Sequence, residues 1–347
     1  MAETSQLLSG AIALLRRAGI RLVSGSLDAW DLTLPDGREL PTRVRISRRP
    51  PTPTVLARLL AEPGPARRVL VVTPHATAHL RTLATNGEID LIAVDEDLLV
   101  FAGARYDVTE NATPTSPAAS AARGRKPWVR WALARVLLLS DRAQTQHRLA
   151  ETLEVSQQAV SFALKQLQAV RRTEHGWFAA SPEELLADYL AGYPGPGGAV
   201  TYWYGLDPVI AQATAVVDFC ARQDVAVLVS GDAAADVYAP WRLPTRAMLY
   251  TDRFVDLAAA GFSPATEAEH TMAVQVPADP TLWRTAEISE PVLLADPLIT
   301  AGDVLRTGGA DAAEAADHVF ATIRQKAGAW PLKSGHLGVF VRRPDPG

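Results

Sequence analysis

The stretch TQHRLAETLEVSQQAVSFALKQL, residues 145–167, carries the strongest structural signal in this sequence. Ser156 stands where its hydroxyl can accept hydrogen bonds from the free amides that open a helix. Apolar residues recur at helical spacing on both sides of it, so each segment can bury one face: Leu149, Ala150 and Leu153 before it, and Val160, Leu164 and Leu167 after it. The pattern predicts two short helices joined by a tight turn.

The opposite face of the second helix carries polar side chains: Gln157, Gln158, Ser161 and Lys165. Short or flexible hydrogen-bonding groups at these positions are typical of a recognition helix, which contacts base edges and phosphates in a DNA major groove. We therefore predict that these four residues bind DNA. An ordinary pair of antiparallel helices with a capping serine would show the same local pattern, so the flanking sequence has to decide.

Both flanks favour a winged helix-turn-helix. WVRWALARVLLL, residues 128–139, predicts the additional helix that such a domain needs, and AVRRTEHGWFAA, residues 169–180, predicts two short strands around a turn. We place the domain at residues 126–180. Arg171 and Arg172 lie on the first of the two strands, so they are predicted to contact the DNA backbone.

Charge points to the same segment. Residues 123–175 contain ten Lys or Arg and four Asp or Glu, a net charge of +6, whereas the rest of the chain sums to −10. A basic segment in an otherwise acidic chain indicates a polyanion as partner. The preceding residues 108–125 are rich in Pro, Ala and Ser and predict a linker. Arg125 at its end and Lys126 directly after it could follow the DNA backbone or enter a minor groove, or serve only solubility.

The first 107 residues alternate helices and strands, beginning with a helix at 7–18 and strands at 27–34 and 42–47, in an order that resembles the restriction-endonuclease-like fold. That family cleaves DNA with an acidic residue and a Glu-x-Lys-like pair that hold a divalent metal and orient water. Asp28 or Asp31 could supply the first acid, but the second strand has Arg43 and Arg45 where the pair is needed. The resemblance therefore implies a relic of the fold without nuclease activity.

Other metal ligands in this region are sparse. Asp90 is another candidate acid, but no lysine follows it before Lys126, so the Glu-x-Lys pair cannot be completed there. His75 and His79 stand four residues apart, a spacing that places two imidazoles on one face of a helix, but a metal site needs a third ligand. We predict surface histidines and no metal site.

Residues 181–347 predict a further α/β domain with a mixed sheet, in which Ser181 caps a helix at residues 182–190 and residues 254–260 form another helix. Its Ser230, Gly231 and Asp232 follow a buried strand and open a helix, as in the nucleotidyltransferase fold. Active members need two acids on the next strand to hold two metal ions. That strand begins at Arg246 without paired carboxylates, and Asp252 comes only at its end. No nucleotidyl transfer is expected.

A wider resemblance covers roughly residues 126–327. The predicted winged helix, then SGDAAADVYAPWR at 230–242, RAMLYTD at 246–252 and ADPLI at 295–299 resemble AbiEi-type antitoxins of type IV toxin-antitoxin systems. The resemblance implies a repressor of its own operon, a nucleotidyltransferase-like C-terminal domain and a toxin protein as partner. The N-terminal 107 residues lie outside the family pattern.

The prediction is a multidomain α/β protein that acts as a sequence-specific transcriptional repressor on double-stranded DNA, without cofactor or catalytic residue. A second copy of the chain is a further candidate partner. One cysteine, no signal peptide and no run of eighteen apolar residues predict a cytoplasmic chain that does not contact membranes. The alternatives are a metal-dependent nuclease or nucleotidyltransferase, and a scaffold whose domains bind protein partners.

Overall fold

A computed structural model describes residues 2–62, 68–108, 128–289 and 292–326. The chain is an α/β protein with mixed sheets, as predicted. It forms two compact units, each described separately below. One comprises the described residues of Met1–Arg123, Gly197–Thr201 and Thr251–Gly261, and the other those of Gly124–Pro196, Tyr202–Tyr250 and Phe262–Gly347.

The first unit is built on a mixed eight-stranded sheet. Its elements are α1 (Ala2–Arg17), β1 (Arg21–Gly25), β2 (Ala29–Thr33), β3 (Glu39–Ile46), α2 (Pro53–Ala61), β4 (Arg68–Thr73), α3 (Ala78–Thr85), β5 (Asp90–Ala93), β6 (Leu98–Phe101), β7 (Ala104–Tyr106) and β13 (Phe254–Val255). The strand order is β13-β1-β2-β3-β4-β5-β6-β7. The pairs β3–β4 and β4–β5 are parallel because α2 and α3 cross over between their strands, and the other pairs are antiparallel.

Local capping explains where the two crossover helices begin. The Thr52 hydroxyl accepts a hydrogen bond from the amide of Val55 at the start of α2, and the Thr77 hydroxyl accepts one from Leu80 at the start of α3. The helices pack with the central strands around a core of Leu56, Val69, Val71, Leu80, Ala84, Ile89, Leu91, Ala93, Leu98 and Val100.

Residues 254–260 contradict the sequence prediction of a helix. They form β13 and a short 3-10 helix, Leu257–Ala260, instead. The strand pairs antiparallel with β1, and Phe254 packs edge-on against Trp30 with ring centroids 6.1 Å apart. Asp256 accepts hydrogen bonds from Arg21 at 2.6 Å and caps the 3-10 helix. Pairing with a strand some 230 residues earlier has overridden the local helical pattern.

The second unit begins with three helices and a hairpin, as predicted. These are α4 (Trp128–Leu138), α5 (Gln146–Leu153), α6 (Gln157–Leu164), β8 (Val170–Thr173) and β9 (Gly176–Ala179), and α7 (Pro182–Gly192) follows them. Gly176 has a φ of +130° and lies against the backbone of Gln144, where a Cβ atom would approach the carbonyl oxygen to 2.4 Å. A glycine is therefore required at this turn.

The predicted side-chain cap of α7 is wrong. Ser181 occupies the N-cap position, but its φ of −132° and ψ of 88° leave its hydroxyl without a capping hydrogen bond. Its carbonyl accepts the backbone amide of Leu185 instead, and Pro182 opens the first turn with a φ that suits a helix.

The region after α7 forms a second mixed sheet of seven strands, of which the start of the first strand (198–201) and the last residue of the third (251) cluster with the first unit and the rest with the second. Its elements are β10 (Gly198–Tyr204), α8 (Val209–Arg222), β11 (Val227–Ser230), α9 (Gly231–Tyr238), β12 (Ala247–Thr251), β14 (Ser263–Pro264), β15 (Met272–Pro277), β16 (Glu287–Ser289), β17 (Val292–Leu294), α10 (Pro297–Thr307) and α11 (Ala312–Lys326). The strand order is β14-β10-β15-β12-β11-β17-β16, with β12–β15 and β11–β17 parallel. Part of the core consists of Leu228, Tyr250, Leu282, Ala295 and Ile299.

The described residues of 128–196, 202–250 and 262–326 fall in one compact unit, which includes parts of both predicted domains, 126–180 and 181–347, and the boundary at residue 180 stays a prediction. Helix α4 connects these parts, because it packs on α7 and on the 3-10 helix Pro280–Arg284. The predicted linker, residues 108–125, lies outside the described residues except for its first position. Within the described ranges, no helix is both long and apolar enough to cross a membrane.

Candidate nucleic-acid interface

The turn between α5 and α6 is held by local hydrogen bonds. The Thr145 hydroxyl caps α5 by accepting from the amide of Arg148 at 3.1 Å, and the Ser156 hydroxyl caps α6 by accepting from Ala159 at 3.2 Å. Between them Glu154 adopts a left-handed φ of +51°, which ends α5. The predicted capping role of Ser156 is confirmed, and the two helices are joined within three residues.

Helix α6 has one buried face and one open face. Its buried residues are Val160, Ala163 and Leu164, with Leu167 just beyond its end. The outward stripe follows the spacing i, i+3, i+4 and i+7 and consists of Gln158, Ser161, Phe162 and Lys165. Gln158, Phe162 and Lys165 are exposed, and Ser161 is half-buried. We call these four residues the α6 stripe.

Gln157 lies at the flank of this stripe, towards α5. Its side-chain amide nitrogen is 3.2 Å from Nδ1 of His147, and its carbonyl accepts a hydrogen bond from the Gln146 side chain at 2.7 Å. The two predicted glutamines therefore have different surroundings. Gln157 helps to tie α6 to α5, whereas Gln158 is exposed on the open face of α6.

Phe162 is a residue that the sequence-based list of polar candidates omits. Its side chain is 69% exposed although it lies in the middle of α6. Its position could have been predicted from helical spacing. Phe162 is four residues after Gln158 and three before Lys165, which places it on the same side of a helix as both. An apolar residue type does not by itself place a side chain in the core.

The hairpin β8–β9 presents the two predicted arginines on its surface. Arg171 and Arg172 are both exposed and stand opposite Phe178 and Trp177, respectively. The Arg171 guanidinium donates hydrogen bonds to the carbonyls of Gln168 and Val170, each at 3.0 Å, so it is folded back over the start of β8. The hairpin therefore carries two exposed cations, and at least one of them, Arg171, is hydrogen-bonded to backbone carbonyls.

The charge of this region is smaller at the surface than its sequence suggests. Arg135 is completely buried, and its Nε donates to the Asp296 carboxylate at 2.8 Å. The predicted DNA-binding residues Arg125 and Lys126 lie outside the described residues, as does Arg123. One of the ten cations counted between residues 123 and 175 is thus neutralised inside the protein.

The Arg135–Asp296 pair is embedded in a polar network. The Arg135 guanidinium also donates to the Thr281 and Thr285 hydroxyls, at 3.1 and 3.3 Å. Asp296 caps α10 by accepting from the amides of Leu298 and Ile299, both at 3.0 Å. Burial lowers the pKa of the Arg135 guanidinium, but the Asp296 carboxylate together with Tyr189, Tyr193 and Asp279 more than offsets this and raises that pKa above its ordinary value. The pair anchors α4 to the start of α10.

The acids considered for nuclease chemistry have partners of their own. Asp90 is completely buried and binds the Arg68 guanidinium, with Nε and Oδ2 2.9 Å apart, and it also accepts the Ala102 amide. Asp31 accepts a hydrogen bond from the Ser24 hydroxyl, and the Ser26 hydroxyl donates to Asp28. Arg43 and Arg45 both approach the Glu62 carboxylate. Each of these groups already has a hydrogen-bonding or ionic partner.

His75 and His79 do not share a helix face. Helix α3 begins at Ala78, and His75 precedes its capping residue Thr77, so the assumption behind a helical histidine pair is wrong. His75 instead lies 3.5 Å from the Asp95 carboxylate. A search of the described residues finds no group of three or more His, Cys, Asp or Glu side chains placed to hold a metal ion.

The acid that follows the glycine turn in the second unit is also engaged. Asp232 is buried and pairs with Arg242 at 2.8 Å, while its other oxygen accepts the Thr245 amide at 3.3 Å. Asp252, at the end of β12, pairs with its neighbour Arg253. Each of these two carboxylates thus forms an ion pair with an arginine.

A further buried acid was not singled out from the sequence. Asp303 on α10 accepts hydrogen bonds from the Ser230 hydroxyl at 2.5 Å and the Tyr250 hydroxyl at 2.7 Å, and it pairs with Arg306. Burial raises the pKa of the Tyr250 hydroxyl well above its ordinary value. This cluster joins β11, β12 and α10 by hydrogen bonds and has no open acid.

Comparison with protein-family models, curated proteins and solved structures finds no match for this chain.

Proposed function

We propose that this chain is a sequence-specific DNA-binding transcriptional regulator that acts as a repressor. In this proposal residues 126–180 form a winged helix-turn-helix, α6 is the recognition helix and β8–β9 is the wing. The observation that carries it is the α6 stripe. A capped helix with a firmly buried face presents hydrogen-bonding, apolar and cationic side chains together on its open face.

Dimensions and chemistry support a major-groove role for α6. A helix with its side chains is about 10–12 Å across, and the major groove of B-DNA is about 12 Å wide. Gln158 and Ser161 can hydrogen-bond to base edges, and glutamine can pair through two bonds with adenine. Lys165, at the C-terminal end of α6, would neutralise a phosphate.

The wing would add contacts to the DNA backbone. Arg172 is exposed on β8, and the Arg171 guanidinium would exchange its neutral carbonyl acceptors for a phosphate, whose negative charge makes it the stronger acceptor. Arg125 and Lys126 precede α4 in the sequence and are proposed to follow the backbone or enter the neighbouring minor groove. These contacts position the protein, whereas sequence preference comes from the α6 stripe.

The two remaining regions are proposed to be a restriction-endonuclease-like domain and a nucleotidyltransferase-like domain, both without activity. The support for this proposal is that acidic residues in both regions are buried and paired with arginines. Asp90 and Asp232 are buried, and each is paired with an arginine, so a divalent cation would have to displace a charged partner from either. Incubation with plasmid and Mg²⁺ or Mn²⁺ should therefore produce no nicking. Nicking that is lost in Asp31→Ala would contradict this.

The biological setting follows from the resemblance to AbiEi-type antitoxins. The chain would act in the cytoplasm as a repressor of its own operon, with a toxin as partner and with the option of binding DNA as a homodimer. Co-purification with the product of an adjacent gene would test the toxin. Footprinting on the DNA upstream of its own gene would test autoregulation.

The direct test of DNA binding is selection from a randomised duplex library with the full chain, followed by affinity measurements at several salt concentrations. We expect enrichment of one motif and a linear fall of log affinity with log salt, because phosphate contacts release counterions. Absence of duplex retention would overturn the proposal. Retention without any enriched motif would leave DNA binding but remove the claim of sequence specificity.

A further inference from the structure

The exposed ring of Phe162 is the part of the α6 stripe to which the proposed function assigns no particular contact. The ring is 69% exposed, while Val160 and Leu164 on the same helix are buried. It therefore adds little to the packing that holds α6 in place. Single exposed apolar side chains are common on protein surfaces, so the observation that points to a partner is the position of this ring among Gln158, Ser161 and Lys165 on the proposed recognition helix.

The surroundings of Phe162 restrict what can cover it. Gln158 precedes it by one helical turn, Lys165 follows it by about one turn, and Ser161 is its neighbour in the chain. A purely apolar partner would leave the amide and hydroxyl groups without hydrogen bonds and would bury the lysine charge. The partner surface must therefore offer hydrogen-bonding groups and negative charge around one small apolar spot.

The major groove of DNA has such a surface. Its base edges offer donors and acceptors, its rims carry phosphates, and its one apolar group on a standard base is the 5-methyl group of thymine. A 5-methylcytosine presents the same group at the same ring position. Base-edge contacts by phenylalanine are of this kind.

We propose that Phe162 is a specificity-determining residue that packs against the 5-methyl group of a pyrimidine in the bound duplex. The inference rests on the proposed DNA-binding function and deepens it. Phe162 lies four residues beyond Gln158, or about 6 Å along the helix axis, and successive bases of one strand are about 3.4 Å apart. The methyl group therefore belongs about two base steps from the base that Gln158 contacts.

The test removes the methyl group without changing the base pairing. Each thymine of the duplex enriched by the full chain is replaced singly by deoxyuridine, and affinities are measured for the wild type, Phe162→Ala and Phe162→Leu. One thymine should stand out, at which loss of the methyl weakens wild-type binding about three- to tenfold, the size expected for burying one methyl group or somewhat more. Phe162→Ala should not respond, and Phe162→Leu should keep part of the response.

A second arm identifies the source of the methyl group. Cytosine and 5-methylcytosine are compared at the sensitive position. Tighter binding of 5-methylcytosine by the wild type alone would show that the methyl group is recognised on either base. No difference there, together with the deoxyuridine effect, would restrict recognition to thymine.

Phe178 provides a matched control. It is an aromatic residue of the wing that is also partly exposed, at 36%, and it lies outside the α6 stripe. Phe178→Ala should keep the wild-type response to deoxyuridine. This comparison separates contact by one particular ring from a general effect of removing an exposed aromatic side chain.

Three results would overturn the inference. In the first, no deoxyuridine substitution changes wild-type affinity. In the second, Phe162→Ala responds to deoxyuridine as the wild type does. In the third, Phe162→Ala converts a sedimenting dimer to a monomer, with loss of binding to all duplexes alike, which would assign the ring to a contact between two copies of the chain. A chain that binds no duplex at all fails earlier, at the proposed function itself.

Discussion

Helices α4 and α6 belong to the same proposed DNA-binding region but differ in which types of side chain they bury and expose. In α4 a charged residue, Arg135, is completely buried and an acid from a remote part of the chain neutralises it. In α6 an aromatic residue, Phe162, is largely exposed, with polar residues on the same face. Both placements reverse what residue type alone would suggest.

The difference separates two tasks. Helix α4 is enclosed by α5, α6, α7 and the 3-10 helix Pro280–Arg284, and its buried ion pair connects it to α10. It can therefore act as a fixed support. Helix α6 rests on that support through one face only, so its other face remains open to a partner. Changes in α4 should therefore alter the free energy of unfolding, and changes in the α6 stripe should alter binding to DNA.

The largest expected effect is on α4. Arg135→Met removes the cation and leaves the Asp296 carboxylate buried without its partner, so the free energy of unfolding should fall by about 3–5 kcal/mol. Urea unfolding followed by circular dichroism measures this. Arg142→Met is the matched control, because that arginine is 87% exposed and its loss should cost within about 0.5 kcal/mol.

A second substitution sharpens this prediction. Asp296→Asn keeps an oxygen that can cap α10 but removes the negative charge. Combined with Arg135→Met it should recover part of the lost stability, with a coupling energy of about 0.5–3 kcal/mol. Additive losses would show that the two side chains do not act as a pair.

Next in size is the effect of Gln158→Ala on the preferred duplex. Loss of a base-edge contact should weaken that complex by about 1–3 kcal/mol and leave binding to unrelated DNA nearly unchanged. Gln157→Ala should have the smaller effect on sequence preference, because the Gln157 amide is near His147 on α5. Competition titrations with preferred and scrambled duplexes measure both. Equal losses on both duplexes would place Gln158 at the backbone.

The cations should produce a smaller and less selective effect. Lys165→Ala, Arg171→Ala or Arg172→Ala should each weaken binding to all duplexes about equally and reduce the slope of log affinity against log salt by about 1. Among them Arg171→Ala should show the least change, because its guanidinium must first leave two backbone carbonyls. An unchanged slope in all three variants would contradict the placement of DNA along the hairpin.

The smallest expected effect is that of Phe162→Ser on stability. Because the ring lies mostly in solvent, the free energy of unfolding should change by less than about 0.5 kcal/mol. Leu164→Ala on the buried face of the same helix should cost about 2–5 kcal/mol. Thermal unfolding of both variants gives the comparison. A large loss in Phe162→Ser would mean that its ring is covered within the protein.

Much of the region from α4 to β9 could be predicted from the sequence because its signals are local. A capping residue contacts amides two or three positions away, and the buried faces of α5 and α6 follow from spacings of three and four. The same helical spacing would also have predicted that Phe162 is exposed. The predicted polar residues of α6 were found in this way, and their role in DNA binding stays a prediction.

Strand pairing across long distances was harder to predict. The sequence analysis did not predict β1, and it predicted a helix at residues 254–260. The structure pairs Ser24 with Val255, and the two segments that this pairing joins share no local pattern from which it could be predicted. Such pairs depend on packing in the finished sheet, which can override local preference. The polar partners of Asp90 and Asp232 likewise lie ten or more positions away.

The sequence by itself determined α5, the turn, α6 and the stripe of residues that α6 can expose, because the interactions that define them span at most a few residues. Only the tertiary structure decided that α4 would bury an arginine and that α6 would be left open. Asp296 lies 161 positions after Arg135, and nothing in the helical pattern of α4 indicates that an acid will meet its charge. A face is buried or exposed according to what the rest of the chain brings against it, and that depends on contacts between remote segments.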